Sequence, residues 1–133
     1  TDRGGRDGAL FRFLHTGQRA IRGAPEDAHV QAWLAGADLV VESGAFPLDP
    51  RGLCERHPGL VVLSITPFGR TGPYADRPAT EFTVQAESGS IATRGLLEQA
   101  PYVAGGRITD WVGGTYASVA ALGALRRAPS RSR

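Results

Sequence analysis

Residues 60–74, LVVLSITPFGRTGPY, decide how this chain is to be read. The first half, Leu60 to Ile65, is a run of apolar and β-branched residues, the composition of a strand covered on both faces. It breaks into Pro67, Gly69, Gly72 and Pro73, turn formers interleaved with Phe68 and Tyr74. In open α/β sheets, a buried parallel strand that ends in a shaped loop is where ligands bind. Upstream, Asp38-Leu39-Val40-Val41 reads as a second short strand, and residues 49–57 read as a helix closed by Pro58-Gly59. Strand, helix and strand at this spacing suit a right-handed βαβ crossover and a parallel sheet.

Further out, residues 9–14 form a short apolar run of open type. Pro25-Glu26-Asp27 predicts a helix start, with proline where its missing N–H costs nothing and acids in the first turn. Val30, Trp33, Leu34 and Ala37 then make one buried stripe. Thr80 to Ser90 reads as a helix and 91–107 as loop with room for a short strand. Residues 110–126, apolar almost all round and rich in Gly and Ala, predict a helix buried between other elements. The fold class is α/β, part of a Rossmann-like parallel sheet with flanking helices. Two or three strands do not complete such a sheet, so further segments on both sides are expected. Residues 1–8 are expected to be a flexible lead-in, 9–127 part of a large domain, and 128–133 a flexible tail.

Composition narrows the function classes. The net charge of +2 is too small to imply a nucleic-acid partner. All 15 basic residues are Arg, a bias that fits genome composition better than a phosphate-binding surface. Cys54 stands alone, which rules out a disulfide between two cysteines of this chain and suits a reducing compartment; its place in a helix predicts a buried, inert thiol. His15, His29 and His57 fall on separate elements, which disfavours zinc. Without a long apolar span, no membrane partner is expected, and the reading is of a soluble, cytoplasmic protein. No Met occurs, even at position 1, which suggests a trimmed chain or an excerpt.

Pro67-Phe68-Gly69-Arg70-Thr71-Gly72-Pro73-Tyr74-Ala75 resembles the G-F-G-Q-T-G-P-Y-A signature of the family III CoA-transferases, the carnitine CoA-transferase/bile-acid-inducible family. Leu10 to Ile21 resembles the family segment around N-x-N-K-R-S. Asp38 to Glu42 resembles its A-D-V-V-V-E-N-F strand, Leu48-Asp49 its L-D-R-L-G turn, and Gln85 to Gly89 its Q-A-x-S-G helix. Asp110-Trp111-Val112-Gly113-Gly114 is similar to D-x-x-x-G, which carries the family's catalytic aspartate.

The resemblance implies movement of CoA from an acyl-CoA thioester to a free carboxylic acid through a covalent aspartyl intermediate, in a homodimer without a permanently bound cofactor. Asp110 is the implied nucleophile; an aspartate opening a helix is also the usual N-cap, and the two roles are compatible. Phe68, Gly69, Gly72 and Tyr74 are implied in the wall of the CoA-ester site. Arg19 and Arg51 are candidates for CoA phosphates, since the guanidinium fork matches phosphate oxygens. Ser43-Gly44 replaces the family's Asn-Phe, so Ser43 and Phe46 are the candidates for that contact, and Pro50-Arg51 shifts the usual arginine by one place. The family's first βα unit and its later glycine loop have no counterpart here, which predicts a partial site. Two alternatives stand beside this reading. An acyl-CoA racemase of the family would use a His near residue 80, where this chain has Thr80 followed by Glu81. A truncated, non-catalytic CoA-ester-binding module is the other.

Overall fold

The computed structural model describes residues 8–44 and 48–129, so Phe46, the lead-in apart from Gly8, and residues 130–133 of the tail lie outside the described residues. The elements run α1 (Ala9–Leu14), α2 (Ala28–Gly36), β1 (Leu39–Glu42), α3 (Pro50–Arg56), β2 (Val61–Ser64), α4 (Glu81–Glu87) and α5 (Ile108–Arg127). β1 and β2 pair in parallel, Leu39 opposite Val61 through Glu42 opposite Ser64. The α/β reading and the crossover through α3 both hold.

Local chemistry sets the α3 boundaries. Asp49 caps the helix, its carboxylate accepting from the Arg51 N–H at 3.2 Å, and Pro50 takes the first helical position, where its missing N–H costs nothing. The chain then turns through Gly59 at φ 89°, a conformation open to glycine, and enters β2. Both α3 and α5 pack against β2. Val30, Leu53, Leu60 and Ala121 are the buried apolar side chains of the described residues.

Several expectations are corrected. α2 starts at Ala28 rather than Pro25, because Asp27 folds back to accept from the Ala24 N–H at 2.9 Å and makes a turn of 24–27. Of its predicted stripe, Val30 is buried, but Trp33 is half-exposed and carries the Arg19 guanidinium over its ring. Cys54 is exposed, since α3 turns the neighbouring Leu53 inward instead. β2 is half-buried rather than covered on both faces. α5 begins at Ile108 and is largely exposed: Trp111, Val112, Tyr116, Val119 and Leu122 all face out. Two strands offer this 20-residue helix, about 30 Å long, too little surface to cover it. The 91–107 segment contains no strand. Among the described residues no helix is long and apolar enough to cross a membrane.

Candidate active site

Asp110 occupies the third position of α5. The N-cap position belongs to Arg107, which makes no side-chain cap bond. The capping role expected of Asp110 is filled from another element: Glu81, first residue of α4, accepts from the Thr109 N–H at 3.0 Å and from the Thr109 hydroxyl. A carboxylate on those orphan donors also meets the positive end of the helix dipole. The Thr109 hydroxyl and then its N–H hold the Glu81 carboxyl below the usual range, against a smaller opposing effect of desolvation. Gln85 extends the brace. Fully buried, it donates to Glu81 at 2.8 Å and to the Ala104 carbonyl at 2.9 Å, and accepts from Arg94 and the Ala104 N–H.

Relieved of capping, the Asp110 side chain is 56% exposed and pairs with Arg107, Nη2 to Oδ2 at 2.6 Å. Arg107 sits in the left-handed region at φ 56° and ψ 48°, directly after Gly106 at φ 76°. Asp110 opens onto a groove of about 550 Å³ between α1 and α5. Leu10, Leu14 and Trp111 supply its apolar wall. Gly106 and Gly114 flank the carboxylate without side chains. An exposed carboxylate in an apolar groove with glycines beside it can be approached by an electrophilic carbon.

A second cluster lies at the carboxyl ends of the strands. Glu42 closes β1 with its side chain only 2% exposed, and accepts from the Ser64 hydroxyl across the sheet, from the Gly44 N–H at 2.7 Å and from Arg70 at 2.9 Å. The Ser64 bond is the largest cause holding the Glu42 carboxyl below the ordinary range; burial opposes it, and the Gly44 N–H and Arg70 add to it. Arg70 thereby ties the 67–74 loop to the strand ends. Gly69 and Gly72 turn that loop at φ 83° and 97°. Phe68 and Tyr74 pack against each other, ring centres 6.0 Å apart, with Arg77 over the Tyr74 ring.

The predicted site residues among the described ones therefore fall into four places. Phe68, Gly69, Gly72 and Tyr74 share the loop held by Glu42, and Ser43 follows that residue directly. Arg51 stands in the first turn of α3, which the chain enters after leaving β1. Asp110 lines the groove, to which no residue of 67–74 contributes. Arg19, over Trp33 at 5.4 Å, is at the other end of β1, since Trp33 borders Asp38 and Leu39. Glu42, Arg70, Glu81 and Arg107 were missed as site residues. A signal existed for Glu42, a charged residue ending an apolar strand, and for Arg107, a bulky residue after two glycines.

Known proteins resemble this arrangement. A CAIB/BAIF family protein from Brucella suis superimposes with a TM-score of 0.66 at 33% identity, covering 74% of this chain and 28% of that one. The succinate–glutarate CoA-transferase of Agrobacterium fabrum is 33% identical over 127 residues, which take in 88% of this chain and 32% of that enzyme. A succinyl-CoA:(R)-benzylsuccinate CoA-transferase subunit from Thauera aromatica is 40% identical over 68 residues, 47% of this chain and 17% of that one. The chain spans about a third of the length of the A. fabrum enzyme. CoA-transferase family III is matched over residues 3–131, nearly the whole sequence, and this chain belongs to that family.

Proposed function

We propose that residues 9–127 form part of the large domain of a CoA-transferase and carry its nucleophile, Asp110. The observation that supports this most is the freed carboxylate: Glu81 caps α5, and Asp110 faces an apolar groove. In this reading the Asp110 carboxylate attacks the thioester carbon, the C–S bond breaks, and CoA leaves as a thiolate. The thiolate attacks the aspartyl carbonyl of the resulting anhydride, releasing the donor acid and leaving Asp110 as a CoA thioester. The acceptor carboxylate repeats both steps in reverse and restores free Asp110. No proton or electron is gained or lost over the cycle.

A carboxylate is a weak nucleophile in water, so the site must hold it against the thioester and exclude solvent. The brace on α5 does the first, and the apolar groove contributes to the second. The loop at 67–74, with Ser43, Phe46 and Arg51, is proposed to take the CoA portion; Arg19, over Trp33 near the start of β1, is a further candidate for a CoA phosphate. From the relatives we carry over only the reaction type. A homodimeric, cytoplasmic enzyme belongs to the same reading.

The test is acyl-CoA with hydroxylamine, followed by mass spectrometry of the full-length protein. A hydroxamate on Asp110, and loss of exchange in Asp110→Asn with CoA binding kept within a few-fold, is the expected result. Undiminished turnover by Asp110→Asn refutes the assignment.

A further inference from the structure

We propose that Gln85 is a positioning residue for the nucleophile: its one buried carboxamide pins both ends of the segment that aims Asp110. The inference rests on Asp110 being the nucleophile. The segment runs from Ala104 through Gly105, Gly106 and Arg107 into the first turn of α5. Packing does not fix its middle. Gly105, Gly106 and Arg107 are exposed, and a side chain added to either glycine would meet no atom within 4 Å beyond its chain neighbours. Two successive glycines in open space leave the backbone free to swing. The direction of Asp110 is therefore set at the two ends.

Both ends lead to Gln85. At the first, its Oε1 accepts from the Ala104 N–H at 3.0 Å and its Nε2 donates to the Ala104 carbonyl at 2.9 Å, as a paired strand would. At the second, Nε2 donates at 2.8 Å to Glu81 Oε1, the same oxygen that accepts from the Thr109 N–H. Asp110 follows Thr109 directly. With Arg94 donating to Oε1 at 2.7 Å, all four bonding positions of the amide are filled. The side chain is fully buried, so water does not compete for these bonds. The loop proposed to take CoA is fastened by other side chains, Arg70 to Glu42 and Arg77 to Glu87. The Gln85 amide, committed to Ala104, Glu81 and Arg94, takes no part in that fastening. Losing the amide should therefore slow attack by Asp110 without weakening CoA binding.

The experiment uses the full-length protein and its Gln85→Met variant, which keeps the length of the side chain and none of its hydrogen bonds. With succinyl-CoA as donor, it reads kcat, KM, the dissociation constant of CoA and the rate of hydroxamate formation on Asp110. Gln85→Met is expected to lose roughly ten- to hundred-fold in kcat and in hydroxamate formation, the scale of a nucleophile displaced by about an ångström. CoA binding should stay within about two-fold. A glutamine that only supports the fold would lower the melting temperature and leave kcat of the folded variant unchanged; that result overturns the proposal. Hydrogen exchange on the wild type decides where Gln85→Met does not fold or the donor is not turned over. The Ala104 and Thr109 amides should then show the same protection, opening as one unit. An Ala104 amide that exchanges like an open loop overturns the proposal. Asp110→Asn separates the two readings. If it is inactive while Gln85→Met keeps its kcat, the positioning by Gln85 falls alone; if it is active, the nucleophile falls and the positioning with it.

Discussion

Glu42 shows how one side chain organises the strand ends. Its carboxylate is buried, yet Ser64, Gly44 and Arg70 each donate to it, so the cost of desolvating a charge is offset by charge-assisted hydrogen bonds. Glu42→Gln keeps the shape but loses the charge that three donors are turned toward. It should destabilise the protein by about 1–3 kcal/mol at pH 7, measured by urea unfolding. The pH dependence has a definite sign. The folded carboxyl is held below its unfolded value of about 4.3, so its contribution is fully present above that value and is lost as pH falls through the folded one. The stability gap between wild type and Glu42→Gln should therefore close between about pH 4 and the lower folded value. A gap that does not narrow at all as pH falls below about 4 would contradict the assignment.

At the scale of elements, α4 is the brace of the site. Thr80 and Thr83 form a capping box, Thr80 Oγ1 accepting from the Thr83 N–H at 3.2 Å and Thr83 Oγ1 from the Thr80 N–H at 2.8 Å. Thr80→Ala should cost about 1 kcal/mol in thermal unfolding, and Thr80→Ser much less. The same box bears on racemisation: the residue in the place of the family's proton-transfer histidine is a neutral hydroxyl committed to a cap, and no washing of deuterium into the α-carbon of acyl-CoA is expected. Glu81, the next residue, is engaged with Thr109 and Gln85. Replacing it with Ala should leave the first turn of α5 without its acceptor. Hydrogen exchange at the Thr109 amide should then quicken, while amides near Ala121, about 18 Å along the helix, keep their protection. Equal loss of protection at both places would mean that Glu81 stabilises the whole helix rather than its start.

At the scale of the whole molecule, the exposed large apolar side chains among the described residues outnumber the buried ones. Leu10, Phe13, Trp111, Tyr116, Val119 and Leu122 face out, against a buried apolar set of Val30, Leu53, Leu60 and Ala121. A two-stranded sheet is marginal alone and leaves paired-strand edges open. The 133 residues expressed by themselves should bind a hydrophobic dye and self-associate in sedimentation velocity, with little or no CoA exchange. A monodisperse monomer that turns over acyl-CoA steadily would overturn both this expectation and the placement of the site.

What the amino-acid order determined by itself were the features that depend on neighbours in sequence. The β-branched runs at 39–41 and 61–63, the Asp49-Pro50 helix start and the Pro58-Gly59 stop yield a parallel crossover because propensity, capping and spacing act locally. The 67–74 loop and Asp110 stood out through resemblance to family motifs, not through propensity or capping. Tertiary structure alone decided which carboxylate caps α5, because Glu81 and Thr109 are 28 residues apart and meet only when α4 packs on α5. It also decided that Glu42 is buried under Arg70, and that most of α5 stays exposed. Burial is set by which surfaces face one another, and a helix apolar all round is covered only where a sheet is wide enough to reach it.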